Sequence, residues 1–328
     1  PECVIVNEIW WTATARHADI IFPITTVLER NDLMLTKWEP MATPMHKAIE
    51  PVGESRNDYD VFSGLAQRLG FFEEFTEGRN EEEWLRHLWD QARQRAGQAN
   101  FELPDFDTFW HEGPKEILKA EDKTILLEAY RKDPRNNPLA TPSGKIEIFS
   151  DVIAGFGYDD CPGHPVWMEP FEWLGGKTVK KFPLHIISNQ PSTRLHSQLD
   201  SGSISKGSKI KDREPMTMNP VDAAGRGIKT GDVVRVFNER GSCLAGVNLS
   251  ENVMPGVIQL ATGAWFDPVV PGQIGALCKH GNPNVLTMDQ GTSSLAQGPT
   301  AHSTLVEVEK FNDDIPKVTA HLPPAISS

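Results

Sequence analysis

The stretch DVVRVFNERGSCLAGVNL, residues 232–249, decides the fold of the C-terminal half of this chain. Apolar side chains dominate 232–237, polar residues and Gly241 fill 238–241, and apolar residues return over 242–249. Two short apolar segments separated by a polar, glycine-containing turn predict a strand and a returning strand. This segment therefore predicts β structure built from short strands.

Further strand-sized segments lie on both sides of 232–249. The sequence predicts strands over 184–187 and 257–260, and a short helix over 220–225. Short strands about ten residues apart, separated by glycine-containing turns, are typical of a small barrel. From Phe182 onward we therefore expect a mainly β domain.

The first part of the chain has a pattern typical of an α/β fold. The apolar run 4–6 predicts a strand covered on both faces, and 18–23 predicts a short strand that ends at proline. The threonine-rich residues 12–15 predict a helical turn between them. Because the chain opens within a predicted core strand and without methionine, we expect a fragment whose N-terminal portion is missing.

Two helices and one further strand are predicted after this region. One helix covers 57–69 and ends at Gly70; the other runs from about residue 80 to 95, with acidic residues in its first turn, and ends at Gly97. Residues 141–149, TPSGKIEIF, predict a turn followed by an edge strand.

Composition limits the class of protein. The 328 residues are 39% hydrophobic and 23% charged, which is ordinary for a globular protein with room for two domains. The net charge of −13 argues against a nucleic-acid partner held through phosphates, and no apolar run is long enough to span a membrane. The cysteines form no CxxC pair, so neither an iron–sulfur nor a zinc pattern is present.

The segment SNQPSTRLHSQ, residues 188–198, is the first candidate site because it follows a predicted strand end. Most of its side chains can form hydrogen bonds, and it includes a guanidinium and an imidazole. That mixture suits a polar ligand with phosphate or ring edges. A polar surface loop without a ligand fits the residues equally well.

A second candidate combines HGNPN, residues 280–284, with GTSSLAQG, residues 291–298. Glycines let the backbone approach a flat ligand, and amide side chains can read its donors and acceptors. A tight-turn loop is the equally weighted alternative. A third polar segment, 12–19 with 29–32, follows the first strand, but it lacks GxGxxG and is also explained by a structural ion-pair cluster.

In this order, the motifs resemble the dimethyl sulfoxide reductase family of molybdopterin oxidoreductases. Residues 12–32 are similar to the family's third domain, 141–150 to its TPSGKIE segment, and 194–198 and 280–298 to the cofactor-binding loops of its last domain. The branch they resemble contains trimethylamine N-oxide, dimethyl sulfoxide and biotin sulfoxide reductases. Segments most similar to the biotin sulfoxide reductase type are 189–191, 235–238 and 262–268.

The resemblance implies a fold and a division into domains. The expected fold class is α/β followed by a mainly β domain, with a partial Rossmann-like domain and a six-stranded double-psi-type β-barrel that binds a molybdopterin dinucleotide. The implied ranges are 1–160 for the C-terminal part of the α/β domain, 161–181 for a connection, 182–310 for the barrel and 311–328 for a C-terminal tail.

The resemblance also implies a molybdenum bis(molybdopterin guanine dinucleotide) cofactor. No catalytic residue and no metal ligand is predicted in this chain, because in this branch a serine from the first half of the enzyme ligates the metal. Many relatives carry histidine where this chain has Gln190. The residues predicted to contact the cofactor are Ser188, Gln190, Arg194, His196, Ser197, Gln198, Asn282, Asn284 and Gln297.

The expected function is part of a reductase that takes an oxygen atom from biotin, methionine or dimethyl sulfoxide or from trimethylamine N-oxide, inactive as this fragment alone. The alternatives are a non-catalytic cofactor-binding fragment, or an enzyme of the formate dehydrogenase or nitrate reductase type. The TSSLAQG loop disfavours the latter.

Expected partners are the missing N-terminal half, the small oxide substrate, and an electron donor that is a cytochrome, a thioredoxin-like protein or NADPH. Neither a nucleic acid nor a membrane span is expected. The resemblance to the biotin sulfoxide reductase type favours a cytoplasmic location, with the periplasm as the alternative.

Overall fold

The computed structural model describes residues 1–36, 40–98, 100–117 and 125–324. The strands are β1 (Ile5–Glu8), β2 (Ile20–Pro23), β3 (Asp32–Met34), β4 (Met41–Met45), β5 (Lys115–Glu116), β6 (Leu184–Ile187), β7 (Pro215–Met218), β8 (Val233–Phe237), β9 (Ser242–Leu249), β10 (Val257–Leu260) and β11 (Leu305–Lys310). The helices are α1 (Asp58–Leu69), α2 (Phe72–Thr76), α3 (Glu81–Gln98), α4 (Phe106–Glu112), α5 (Glu128–Lys132), α6 (Asp151–Gly155), α7 (Ser203–Ser208) and α8 (Pro220–Ala224).

The chain folds as two compact units. The N-terminal unit comprises Pro1–Trp10 and Ala18–Lys132, and the barrel unit comprises Trp11–His17 and Asp133–Ser328. The predicted domain ranges 1–160, 161–181, 182–310 and 311–328 stay predictions. Residues 37–39, 99, 118–124 and 325–328 of those ranges lie outside the described residues.

Six strands of the barrel unit close into a barrel in the order β10, β6, β11, β8, β9, β7. The predicted hairpin is confirmed: β8 and β9 are antiparallel, with Val236 opposite Cys243. The predicted strands at 184–187 and 257–260 form the parallel pair β6–β10. Since these two strands run in the same direction, the segments that follow them emerge at the same end of the barrel.

The barrel encloses an apolar core, and this explains the long apolar run in β9. Six consecutive residues of β9, from Ser242 to Val247, are buried. One of them is Gly246, where a Cβ would lie 2.3 Å from the Cβ of Ile210. Side chains at the centre of the core include Leu184, Ile186, Met216, Met218, Val234, Val236, Ala245, Val247, Ile258, Leu260, Val306 and Val308.

The N-terminal unit has helices around two small sheets. β1 and β2 are parallel, and β3, β4 and β5 form an antiparallel sheet. Its core contains Trp89 of α3 stacked on Phe109 of α4, with ring centroids 3.7 Å apart. The helix predicted over 57–69 is confirmed as α1, and Gly70 ends it with φ of +86°.

Three local predictions are wrong. The second predicted helix, α3, continues through Gly97 to Gln98. The strand predicted to be covered on both faces leaves Ile5 57% exposed, so one face of β1 is not covered by the described residues. Residues 141–144 form the expected turn, with Gly144 N donating to Thr141 O at 2.9 Å. No edge strand follows, because none of the described strands pairs with 145–149, and Ile148 is 80% exposed.

Among the described helices, none is both long and apolar enough to cross a membrane.

Candidate functional site

The loop 188–198 follows β6 and contains six of the nine predicted cofactor-binding residues. Ser188 is half-buried, while Gln190, His196, Ser197 and Gln198 are exposed. The Gln190 side chain holds His196 from both sides: its Nε2 donates to Nδ1 at 3.0 Å, and its Oε1 accepts from the backbone N–H at 3.2 Å. This pairing supports His196 at φ of +50°, an unusual conformation for a residue with a side chain.

Arg194 is the exception in this loop, because its side chain is completely buried. Nε donates to His196 O at 3.1 Å, and Nη1 donates to Ser205 Oγ at 3.2 Å. Nη2 donates to Glu214 Oε2 at 3.1 Å and to Thr262 O at 2.8 Å. Internal acceptors thus occupy the Arg194 guanidinium, and its contact with the cofactor stays a prediction. Its role is to hold the loop.

Arg194 belongs to a buried group of four charges that we call the ion cluster: Arg194, Asp200, Lys209 and Glu214. Lys209 Nζ lies 2.7 Å from Asp200 Oδ1 and also contacts Glu214 Oε2. Two cations and two anions balance, as a buried cluster requires. Burial acts to raise the pKa of Asp200, but hydrogen bonds from His321 and Lys209 hold that pKa well below its ordinary range.

The loop 280–284 reaches the same cluster through His280. Its Nδ1 lies 3.0 Å from Trp265 O and donates to it, and its own carbonyl accepts from Glu214 N at 3.1 Å. Burial, reinforced by the nearby charge of Lys209, lowers the pKa of His280 to about 4, so the ring is neutral at pH 7. Gly281 has φ of +91°, and a Cβ there would lie 2.8 Å from Glu214 Cβ.

Trp265 connects the two loops. It follows β10, and its Nε1 donates to Ser197 O at 2.8 Å while its backbone N–H donates to Asp200 Oδ2 at 3.2 Å. Gly263, two residues earlier, lies so close to the loop that a Cβ would be 1.8 Å from His196 O. Loops 188–198 and 280–284 are therefore fixed relative to one another by buried contacts.

The predicted residues in 280–284 serve different purposes. Asn282 Oδ1 accepts from Asn284 N at 2.8 Å and so caps the 3₁₀ turn Pro283–Val285. Asn284 is exposed and can present its amide to a ligand.

Gln297 lies in the loop 291–298, which is held differently. Its Nε2 donates to Ser293 O at 3.3 Å, within the same loop. Ser294 donates from N and Oγ to Asp160 Oδ2, at 2.7 and 3.2 Å. Among the described residues, no hydrogen bond joins this loop to 188–198 or 280–284.

A cavity of about 220 Å³ adjoins the loop 188–198. Asn189 lies in its wall, and Asn189 Oδ1 is buried without a hydrogen-bond partner. The remaining lining residues are Pro191, Ser192, Thr193, Ser208, Glu214, Pro215, Thr217, Gln259 and Ala261. An unpartnered buried acceptor is costly, so this cavity suits a ligand that carries N–H or O–H donors.

In the segment 29–32, the described contacts of Glu29, Arg30 and Asp32 are structural ones, and the choice between an ion-pair cluster and ligand contact stays open. The carboxylate of Glu29 accepts from the backbone N–H groups of Thr26 and Val52, at 2.7 and 2.6 Å, and these bonds lower its pKa to about 2. Arg30 and Asp32 form an ion pair at 3.2 Å. In the barrel unit, the earlier polar segment contributes Arg16, whose Nη1 lies 3.3 Å from the buried Asp267.

The sequence analysis missed several residues of the site. Asp200, Lys209, Glu214, Trp265 and His321 hold the loops but were not among the predicted residues. The run KIKDRE, residues 209–214, offered a signal, because it begins with Lys209 and ends with Glu214, and a short turn lies between these two charged residues. Nothing in the local pattern indicates that these charges are buried.

Two family models match the chain. Residues 184–305 match the molybdopterin dinucleotide binding domain, and residues 1–68 match molybdopterin oxidoreductase. The matched region 184–305 begins with β6, contains the ion cluster and ends at the first residue of β11. It therefore covers five of the six barrel strands and the three polar loops.

Curated relatives match over nearly all of the chain. The dimethyl sulfoxide/trimethylamine N-oxide reductase of Cereibacter sphaeroides is 48% identical over 313 residues, covering 94% of this chain and 38% of the relative. The trimethylamine-N-oxide reductase of Haemophilus influenzae is 46% identical over 330 residues, covering 99% of this chain and 40% of the relative. The chain thus spans about two fifths of the length of these relatives.

Among solved structures, acetylene hydratase from Pelobacter acetylenicus has a similar fold. The TM-score is 0.66 at 20% identity, covering 94% of this chain and 40% of that protein. At this identity the similarity concerns the fold alone.

Proposed function

Because this chain belongs to the dimethyl sulfoxide reductase family of molybdopterin oxidoreductases, we propose that it holds a molybdenum bis(molybdopterin guanine dinucleotide) in a reductase of S-oxides or N-oxides. One observation carries the proposal. The ion cluster and Trp265 fix two polar loops beside each other, within the region that matches a dinucleotide-binding domain.

The residues present fit such a group. A pterin ring carries amino and ring N–H donors as well as carbonyl and nitrogen acceptors, so it needs partners of both kinds. Asn189 Oδ1 is an unused buried acceptor, and Gln198, Asn284 and Gln297 have exposed amides that both donate and accept.

The chain's contribution is binding and orientation. When bound, the cofactor supplies a two-electron redox centre for oxygen-atom transfer. Gln190, His196, Ser197, Gln198 and Asn284 lie at the loop surfaces and would hydrogen bond to it. Arg194 and the rest of the ion cluster hold the backbone beneath them, and as a balanced set they add no net charge to the site.

The cofactor proposal is tested on the protein that carries this chain. We expect molybdenum by elemental analysis and a fluorescent pterin after acid oxidation of the purified protein. Replacing Asn284 with alanine should lower the pterin content severalfold, whereas Asn252→Ala, at an exposed turn after β9, should not. Equal pterin content in the two variants would contradict the assignment of Asn284.

The substrate is tested separately. The names of the relatives favour dimethyl sulfoxide and trimethylamine N-oxide, while the segments 189–191, 235–238 and 262–268 resemble the biotin sulfoxide reductase type. With a reduced viologen as donor, we expect turnover of at least one among dimethyl, methionine and biotin sulfoxides and trimethylamine N-oxide. Turnover of formate or nitrate instead would contradict the oxide reductase, and a loaded protein that turns over none of them would indicate a non-catalytic cofactor-binding role.

The further partner we propose is a polypeptide segment equivalent to the part of the relatives that this chain does not span. Apolar side chains of the barrel unit support it, because Ile148 and Trp167 are 80% and 78% exposed and neighbouring Phe171 is also exposed. Exposed apolar surface of this extent is typical of an interface. Limited proteolysis and exchange protection of 146–174 in the native protein test it.

Location and electron donor are the remaining proposals. The resemblance to the biotin sulfoxide reductase type supports a cytoplasmic location, and cell fractionation tests it against the periplasm. Adding a cytochrome, a thioredoxin-like protein or NADPH in place of the viologen identifies the donor.

A further inference from the structure

The segment after β11 crosses the barrel unit and is bound at several points. Phe311 N donates to Val233 O at 3.0 Å, and the guanidinium of Arg213 donates to Pro316 O. Thr319 donates to the buried carboxylate of Asp267 from both N and Oγ1, at 2.6 and 2.8 Å. We call residues 311–322 the strap.

The strap reaches the ion cluster through His321. Its Nε2 lies 3.0 Å from Asp200 Oδ2, and its ring packs edge-on against Trp265 and His280, with centroids 5.1 Å away in both cases. Trp265 N donates to the same oxygen of Asp200 at 3.2 Å. Without His321, Oδ2 would keep that one weaker hydrogen bond.

A change at Asp200 reaches the predicted cofactor loop through two short paths. Asp200 Oδ1 lies 3.4 Å from Arg194 Nε, and the same Nε donates to His196 O. Asp200 Oδ2 accepts from Trp265, whose indole N–H donates to Ser197 O. The carbonyls of two consecutive predicted residues are thus held by groups that share Asp200 as a partner.

We propose that His321 is a positioning residue, through which the strap fixes the loop 188–198 in its cofactor-binding conformation. The inference rests on the proposed function for the identity of the ligand. The strap lies after the matched region 184–305, and the inference gives it a role in how that region binds the cofactor.

The same side chains raise the alternative of a metal site, since Asp200, His280 and His321 have ligand atoms within 4.8 Å of one another. Two contacts argue against it. The ammonium of Lys209 lies 2.7 Å from the Asp200 carboxylate, where it would repel a cation. His280 Nδ1 already donates to Trp265 O, and the remaining contacts satisfy Asp200.

The test uses His321→Leu and His321→Gln in the protein that carries this chain. Leucine cannot donate a hydrogen bond, whereas the amide Nε2 of glutamine lies as many bonds from Cβ as the imidazole Nε2 and can replace it. Leu322→Ala, at the exposed neighbouring position, is the matched control. The readouts are the rate of pterin release and the amide exchange of a peptide covering 194–200.

We expect His321→Leu to release pterin about tenfold faster than the wild type, as a 1.4 kcal/mol change would produce, and to exchange faster at 194–200. His321→Gln and Leu322→Ala should stay within about twofold of the wild type. Equal behaviour of the leucine and glutamine variants would overturn the proposal, because packing alone would then explain the effect. Stoichiometric zinc in the wild type that is lost in His321→Leu would also overturn it.

The two proposals fail in different ways. If the wild type contains no pterin, the proposed function fails, while exchange at 194–200 still decides whether His321 positions the loop. If the wild type holds pterin but His321→Leu changes neither release nor exchange, the positioning role fails and the proposed function stands.

Discussion

Two polar loops of the barrel unit, both predicted to bind the cofactor, are held in opposite ways. The loop 188–198 lies on the ion cluster, with a fully buried guanidinium and carbonyls fixed by Arg194 and Trp265. The loop 291–298 is mostly exposed and is held by hydrogen bonds within itself and by Asp160. We call them the anchored loop and the exposed loop.

This difference separates two roles that a single sequence motif combines, namely holding the loop backbone and keeping polar side chains at the surface. In the anchored loop, Arg194 builds the backbone and its amide and imidazole neighbours remain at the surface. In the exposed loop no charged residue is present, and the described hydrogen bonds that hold it come from within the loop and from Asp160. The anchored loop is thus preorganised, and mutations beneath it should cost stability as well as binding.

The largest effect is expected from Arg194→Met. It leaves Lys209 facing two buried carboxylates, and removing one partner of a buried ion pair costs about 3–5 kcal/mol. Arg235→Met is the control, since its pair with Glu309 is exposed and is worth about 1 kcal/mol or less. Native-state hydrogen exchange of 188–200 and of β8 measures both. Equal losses in the two variants would show that the cluster does not anchor the loop.

The next effect is expected from Gly263→Ala. The added Cβ would meet His196 O, and the φ of +92° disfavours any side chain, so we expect a loss of about 2–3 kcal/mol. Gly272→Ala has a similar φ of +78° but nothing near its Cβ, and it should cost about 1–2 kcal/mol. Urea unfolding compares the variants. A smaller loss at Gly263 than at Gly272 would mean that the anchored loop moves aside easily.

The pH dependence of the barrel should reflect His280. Its pKa is about 4 in the folded protein and near 6.5 when unfolded, so the unfolded chain binds a proton first as the pH falls. Stability is therefore complete above pH 6.5 and decreases down to about pH 4, with a slope of up to about 1.4 kcal/mol per pH unit.

His280→Asn should flatten this slope, because asparagine can still donate toward Trp265 O but does not titrate. His164→Gln, at an exposed position, should leave it unchanged. The measurement is the urea concentration at the midpoint of unfolding, determined between pH 7 and 4.5 with unfolding followed at β9. An unchanged slope in His280→Asn would contradict the assignment of this pH dependence to His280.

The barrel was predictable from sequence because its signals are local. Apolar runs such as 242–249, bounded by glycine-containing turns, predict strands from the local sequence alone. The absence of the edge strand predicted at 145–149 could not be foreseen from local signals. A strand also requires a partner, and none of the described strands supplies one. Likewise, the run 4–6 has the composition of a covered strand, yet Ile5 is exposed.

The site was predictable only in part for the same reason. Spacing identified Gln190, His196 and Asn284 as polar loop residues, and all three lie at the surface. It could not show that Arg194 points inward, since that depends on Glu214 and Thr262, which are distant in sequence. His321 lies more than a hundred residues from Asp200, so only the folded chain reveals that contact.

The smallest effect is expected in the exposed loop. Asp160→Ala removes both hydrogen bonds from Ser294, but at the surface water replaces them, so the loss should be under about 1 kcal/mol. Asp159→Ala, at the neighbouring exposed position, is the control. Amide exchange should accelerate in a peptide covering 291–298 and stay unchanged over 188–198. If both loops accelerate together, they are coupled, and the distinction between an anchored and an exposed loop fails. If only 291–298 responds, order in that loop depends on Asp160 rather than on the ion cluster.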